Sequence, residues 1–413
     1  MIELEEAIRL VEAAAQPLPP RRQRLLDARG RVLAAPVVAD VDSPPWDRAM
    51  MDGFAVHSGD FASGAGEVVE LDVMVDLAAG DVTTMRIQPG GCGRIMTGAP
   101  IPAGADAVVP VECAVDGTGR VHAGGRVRLR DDRFRPGQHV ARRAAAFRCG
   151  QEVLPAGMRL RAAEIGLAAE AGATHVLAAA QVRVAILSTG SELVPCDRVP
   201  AFGQTRNSNE PMLAAAVAEL GGEPIGLGIA ADRPEAIRAA VAQGLAADVL
   251  MLSGGVSAGD LDLVPAIFRQ CGVEQVFHKV RLKPGKPVWF GRFDREAAAP
   301  TLVFGLPGNP ASSLVCCDLL VRPAIAILGG RPPSDWHLPR RPAVLAAPAK
   351  AATDRPVYLP CRLAAGEAGL VATPLPWTGS SDLLGLAGAG GLIALPADGR
   401  RHDAGEPVEV VLR

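Results

Sequence analysis

Apolar residues along this chain follow two different periods, and the switches between them mark its elements. From about residue 181 to 330, short unbroken apolar runs alternate with alanine-rich stretches of helical spacing. The runs are Val184–Leu187, Ile225–Ile229, Val249–Leu252 and Leu302–Leu306, and the helical stretches include 209–220 and 233–246. Unbroken apolar runs suit strands buried on both faces, so the alternation predicts a parallel sheet inside a three-layer α/β domain. Residues 1–15 and 22–29 predict helices, 32–38 an extended segment, and 162–171 another helix. Between 43 and 139 the pattern breaks into short β runs punctuated by Gly and Pro, which predicts a β-rich insert. After Arg331-Pro332-Pro333 the chain returns to short β segments through 413.

Three of the predicted strands end in small polar residues. Val249–Leu252 runs into Ser253-Gly254-Gly255, followed by Ser257, Gly259, Asp260 and Asp262. Val184–Leu187 runs into Ser188-Thr189-Gly190-Ser191, with Glu192 beyond. Leu302–Leu306 runs into Pro307-Gly308-Asn309-Pro310-Ala311-Ser312-Ser313. Ligands in α/β folds sit at the carboxyl ends of strands. Glycines there allow close backbone approach to an anion, and Ser312-Ser313 suit the start of a helix. A glycine-rich exit alone is often only a tight turn. Lys283-Pro284-Gly285-Lys286-Pro287 adds two ammonium groups on a turn stiffened by proline, which otherwise read as solvated charges. Together these features describe one polyanion pocket with carboxylates suited to a hard cation.

Composition narrows the class. A net charge of −3 with 4% aromatic residues gives neither a basic footprint nor stacking platforms, so nucleic acid is not an expected partner. The eight cysteines show no CxxC pair, and the seven histidines show no zinc spacing. Reduced thiols in a cytoplasmic protein are the expectation. No signal peptide and no run of 18 or more apolar residues is read, so no membrane association is expected.

The motifs SGGVSAGDLD, STGSEL, KPGKP and GLPGNPASS together resemble the molybdopterin molybdenumtransferase family, which includes MoeA and the gephyrin E domain. Residues 43–55, SPPWDRAMMDGFA, are similar to that family's early acidic motif, and residues 94–110 to its second-domain signature. The resemblance implies a multidomain α/β plus β fold in four parts. These are a discontinuous N-terminal linker and dimerisation domain (1–42 and 140–180), a β-rich insert (43–139), the molybdopterin-binding α/β domain (181–332) and a C-terminal β-barrel-like domain (333–413). It also implies a homodimer whose cleft is shared between subunits, with Asp52 and Thr97 completing the partner's site.

The implied reaction is insertion of molybdate into adenylylated molybdopterin with release of AMP and dependence on Mg²⁺. Catalytic candidates are Asp52, Glu192, Asp232, Asp262, Lys283 and Lys286, with Glu192 and Asp262 as metal ligands. Substrate candidates are Thr97, Ser188, Thr189, Gly190, Ser191, Ser253, Gly254, Gly255, Ser257, Gly259, Pro307, Gly308, Asn309, Pro310 and Ser312, with Arg142 and Arg143 behind them. On residue type alone Asp232 reads equally as a helix N-cap, and Asp52-Gly53 and Thr97-Gly98 also read as turns. One departure stands out. Ala144-Ala145-Ala146 occupies the place of the family's Gly-Glu-Asp, His139 stands for an asparagine, and Ala389-Gly390-Gly391 replaces Ala-Asn-Gly. Two other readings therefore stay open on the sequence: a weakened paralogue that binds or delivers molybdopterin to other cofactor-biosynthesis proteins or molybdoenzymes, and a non-enzymatic scaffold.

Overall fold

The unbroken apolar runs do form a sheet with both faces covered. In chain order its elements are β1 (Arg183–Thr189), α1 (Asn209–Glu219), β2 (Glu223–Ala230), α2 (Pro234–Gly244), β3 (Val249–Ser253), α3 (Val264–Gln270), β4 (Glu274–His278), β5 (Trp289–Phe293), β6 (Thr301–Leu306) and α4 (Pro310–Cys316). This computed structural model describes residues 1–61, 66–117, 119–256, 263–296, 299–367 and 369–413. They form two compact units, residues 1–23, 30–34 and 177–413, and residues 24–29 and 35–176.

In the first unit the strand order is β2-β1-β3-β6-β5-β4. The first four strands are parallel, and β5 and β4 continue the sheet antiparallel. Every residue of β3 and β6 is buried, as is all of β1 after Arg183. Each such Val, Leu or Ile adds roughly 1.5–3 kcal/mol on leaving water, so this register is strongly specified. Ser188 lies opposite Ser253, and Ser253 opposite Leu306, so the three strand exits are level. The chain winds outward to β2 on one side of β1 and to β3 and β6 on the other. That reversal is the topological switch point where open α/β sheets bind ligands.

Behind the sheet, α4 passes through a π-helical turn (Cys317–Val321) into a last helical segment, Arg322–Leu328. The whole stretch Pro310–Leu328 is long and apolar enough to cross a membrane, but 89% of it is buried, which makes it the core helix of this unit. The N-terminal helix Leu4–Ala14 buries Leu4, Ala7 and Val11 against the same core, as their three- and four-residue spacing requires. At its C-terminal end the chain closes a five-stranded barrel from Arg340–Leu345, Val357–Gly366, Gly369–Pro374, Gly391–Leu395 and Pro407–Leu412. Tyr358, Leu386, Leu392 and Val411 of this region join the core cluster under the sheet. Arg413 binds Asp318 of the π-helical turn at 2.7 Å, opposing the upward push that burial exerts on that carboxyl.

The second unit carries a five-stranded sheet in the order Ala107–Pro110, Gly53–Val56, Gly91–Ile95, Val68–Leu77 and Arg126–Arg130. Its core includes Phe54, Leu71, Val109 and Leu129. A helix at Ala162–Glu170 follows. All eight cysteines are free, and burial raises the Cys361 thiol to about 11.

Two elements differ from expectation. Residues 22–29 are not a helix: Arg21–Arg24 is extended and Leu26–Ala28 forms a single 3-10 turn. Pro17, Pro19 and Pro20 hold the preceding backbone extended, and three arginines in four residues repel one another at helical spacing. The tail is not purely β, because Leu383–Ala387 is helical, capped by the Asp382 carboxylate, which accepts from Gly385 N–H at 3.1 Å.

His139 and Ala144 both adopt left-handed backbone, with φ of 54° and 59°. Histidine is one of the residues enriched there, whereas alanine has no such tolerance. Ala144→Gly should therefore stabilise the second unit by about 1 kcal/mol. A rise in its denaturation midpoint with unchanged denaturant slope is the expected result, and no rise would show that the strain is relieved elsewhere.

Candidate functional site

The level strand exits open onto a cleft of about 1210 Å³ in the first unit. At its floor, Thr189 and Ser253 end β1 and β3. Ser188 does not reach the cleft: it is fully buried, donating to Asn207 Oδ1 at 2.9 Å and lying 3.2 Å from Ser253 Oγ. It ties two strands to the following segment. Ser191 lines an adjoining cavity of about 850 Å³ along β2. Gly254 has φ of 103°, and a Cβ there would lie 2.4 Å from the Thr189 carbonyl oxygen, so only glycine fits. The N–H groups of Gly190 and Gly254 are committed to the carbonyls of Ala230 and Leu306. Among these glycines it is Gly255 whose N–H has no partner in the described residues.

One wall is the Lys283–Pro287 turn. Its backbone is fixed on two sides. Val280 N–H donates to the Lys286 carbonyl at 3.0 Å, while Lys283 N–H donates to Pro356 and Tyr358 N–H to the Lys283 carbonyl, at 3.0 and 2.8 Å. Gly285 packs against the core helix, where a Cβ would meet Cys316 Sγ at 2.5 Å and Leu282 Cδ2 at 2.9 Å. The two lysine side chains are exposed and unpaired among the described residues. Both ammonium groups are therefore free to meet an anion.

The opposite wall is Pro307, Gly308, Asn309, Pro310 and Ser312. Gly308 has a φ outside the left-handed region, so its backbone is not one that demands glycine. Ser312 and Ser313 are not caps either. Asn309 is the N-cap position, and Ser313 Oγ donates back to the Pro307 carbonyl. The first N–H groups of α4, on Ala311 and Ser312, donate to the Ser380 carbonyl at 3.1 and 3.3 Å, and Asn309 Nδ2 donates to Ser380 Oγ at 2.7 Å. The C-terminal region thus supplies the cap that the sequence reading assigned to Ser312 and Ser313.

Acidic groups stand on the third side. Asp232 lines the cleft, and its carboxylate accepts from Ser191 N–H at 3.0 Å. It does not cap α2, whose N-cap position is Arg233, so the capping reading fails. Glu192 is exposed, lines the same cleft and has no side-chain partner among the described residues. Ser257, Gly259 and Asp262 lie outside the described residues. Among the described residues no three His, Cys, Asp or Glu side chains converge on a metal position.

Asp52 and Thr97 belong to the second unit, and the structure joins them to each other. Asp52 Oδ1 accepts from Thr97 N–H and from Thr97 Oγ1, both at 2.7 Å. The backbone bond and then the hydroxyl bond hold the Asp52 carboxyl below the ordinary aspartate range. Arg142 and Arg143 are committed to carboxylates in the same unit: Arg142 to Asp47 at 2.6 Å and Arg143 to Asp42 at 2.5 Å. Both remain largely exposed while making these pairs.

Sequence reading missed the segment Thr205–Asn209 and the C-terminal residues Arg355, Trp377, Ser380 and Ser381, all of which line the cleft. Asn207 had a local signal, as a buried polar residue ahead of an apolar periodic stretch. Nothing local marks Arg355 or Ser380, which reach the cleft through tertiary packing.

Family models match almost the whole chain: the MoeA N-terminal region (domain I and II) at residues 2–172, a probable molybdopterin binding domain at 185–327, and the MoeA C-terminal region (domain IV) at 342–412. The chain is 34% identical over 419 residues to Molybdopterin molybdenumtransferase 2 of Mycobacterium tuberculosis, covering 99% of both. It is 33% identical to the Bacillus subtilis molybdopterin molybdenumtransferase over 398 residues, 94% of this chain and 88% of that one. Among solved structures, the molybdopterin biosynthesis MoeA protein of Pyrococcus horikosii superposes with a TM-score of 0.76 at 28% identity, covering 100% of this chain and 99% of that one.

Two outcomes follow from this geometry. Thr97→Val removes the hydroxyl donor and leaves the N–H, so Asp52 should titrate at a higher pH than in the parent, as followed by NMR. Because the folded carboxyl is depressed, whatever it contributes to stability is present above the ordinary aspartate range and lost as pH falls through its folded value. An unchanged titration would assign the depression to the backbone bond alone. Gly285→Ala should cost about 1–3 kcal/mol by overpacking against Cys316 and Leu282. A wild-type denaturation midpoint would show that the turn yields without cost.

Proposed function

Because this chain belongs to the molybdopterin molybdenumtransferase family, we propose that it acts in molybdenum cofactor biosynthesis, inserting molybdate into adenylylated molybdopterin with release of AMP. The observation that carries this reading is the pair of unpaired ammonium groups, Lys283 and Lys286, on a backbone-fixed turn facing three level strand exits across one cleft. The reaction brings two anions together. Their mutual repulsion, about 1 kcal/mol for unit charges 4 Å apart in water and several times that in a less polar cleft, must be offset by fixed positive charge and donors. Lys283 and Lys286 are assigned to the oxyanion and phosphate oxygens. Gly255 N–H and Thr189 supply shorter donors around them, and Arg355, which also pairs with Asp354 at 3.0 Å, adds a guanidinium from the C-terminal side.

Glu192 is assigned, with Asp262, to a Mg²⁺ ion. An exposed, unpaired carboxylate beside a phosphate-sized cleft has the hard oxygen chemistry that this ion prefers, and Asp232 stands at the same cleft. When bound, the ion supplies charge stabilisation for the departing phosphate. Asp232 orients the Ser191 turn through its bond to Ser191 N–H, and so positions the loop that carries Glu192. We further assign the protein to the cytoplasm and to a homodimer in which Asp52 and Thr97 serve the cleft of the partner subunit. The Asp52–Thr97 pair supports this role because it holds an ionised, oriented carboxylate close to neutral pH.

The test is AMP release from adenylylated molybdopterin with Mg²⁺ present and molybdate added or withheld. Release that depends on molybdate is expected. Tight binding without release would replace the transferase by a carrier. Lys286→Ala should weaken binding of the adenylylated ligand by about 10- to 100-fold, the worth of one charge-assisted hydrogen bond. Unchanged affinity would remove Lys286 from the site.

A further inference from the structure

The cleft carries cationic donors on its walls and the carboxylates of Glu192 and Asp232 on one side. Lys283, Lys286, Arg206 and Arg355 all line it, which suits the anionic parts of a ligand. One further acceptor differs from these carboxylates in being neutral, buried and without a partner. Asn209, in the first turn of α1, lines the cleft and is only 8% exposed. Its Nδ2 donates to the Gly308 carbonyl at 2.8 Å, while its Oδ1 is buried and has no partner. This orientation is not interchangeable. Flipping the amide would set Oδ1 against the Gly308 carbonyl, acceptor against acceptor. The free atom is therefore a fixed acceptor, and a buried acceptor left unmatched is costly and rare.

A phosphate or molybdate oxygen cannot satisfy Oδ1, since both atoms would present lone pairs. The matching group is an N–H or O–H donor, and on a planar amino-substituted ring it is N–H. Trp377, the one aromatic side chain on the described lining, offers a face for a planar ring in the same cleft. We propose that Asn209 recognises the N–H edge of an amino-substituted heterocycle, and so decides which organic ligand the cationic cleft accepts. This inference rests on the transferase reading above. Within that ligand, both the pterin and the adenine ring carry such an edge.

The experiment compares the wild-type protein with Asn209→Leu, alike in branching but larger and without polar atoms, and with Asn209→Ala in case the leucine does not pack. Binding of molybdopterin and of AMP is measured separately by calorimetry, and KM is measured for adenylylated molybdopterin and for molybdate. Affinity for one of the two rings should fall about tenfold, equivalent to about 1.4 kcal/mol, with the KM for molybdate unchanged. A loss confined to molybdopterin identifies the pterin edge, and one confined to AMP the adenine edge. Wild-type affinity for both rings in the variants overturns the proposal. So does an equal rise in both KM values, which is what a merely structural asparagine would produce. If the wild-type protein itself binds neither ring, the underlying transferase reading fails instead, and the two failures are separable.

Discussion

The site depends on holding two like charges, three chain positions apart, on one wall of a cleft, where among the described residues neither is paired with the Glu192 and Asp232 carboxylates that also line it. Both side chains are exposed, so solvent rather than a carboxylate meets their charge, and what the fold fixes is the turn that carries them. Their backbone is clamped from both sides, by Val280 toward the sheet and by Pro356 and Tyr358 toward the barrel. Gly285 lets this turn sit directly on the core helix, where any side chain would collide with Cys316. The position of the turn is set by the packing of the whole unit. A surface loop could not sustain it.

The same division of labour recurs around the cleft. Polar groups that look ligand-facing in the sequence are often structural, and the reverse also holds. Ser188, the N–H groups of Gly190 and Gly254, and Ser313 are all consumed in joining elements. Meanwhile the first N–H groups of α4 are satisfied by a carbonyl from the distant segment around Ser380. A helix start of this kind is electrostatically complete before any ligand arrives. Anion binding therefore falls to side chains and to the few N–H groups left over.

The α/β framework was legible because burial on both faces demands unbroken apolar runs, and Val249–Leu252 and Leu302–Leu306 have no other use. The KPGKP turn was legible for a similar reason, since charge flanked by proline and glycine signals a fixed direction. Residues 22–29 misled because arginine and leucine favour helix in isolation, while the prolines before them and the crowding of charge decide otherwise. Arg355, Trp377 and Ser380 were invisible: their role exists only where the barrel meets the sheet, and no local period encodes that meeting. Asp52 and Thr97 lay between these cases. Each was singled out, but a carboxylate and a hydroxyl 45 positions apart give no hint in the sequence that they bind each other.

Tyr358, Leu386, Leu392 and Val411 share one apolar cluster with the strands and the core helix, and the pairing of Arg413 with Asp318 joins the last residue to that helix. The barrel is consequently not a detachable cassette. Excising residues 333–413 would strip the cap from α4, unclamp the lysine turn and bare the underside of the sheet in one cut. Recombination among relatives can exchange the α/β segment and the barrel as a pair. Swapped singly, each would meet a foreign core, and the unit of inheritance is therefore larger than either segment.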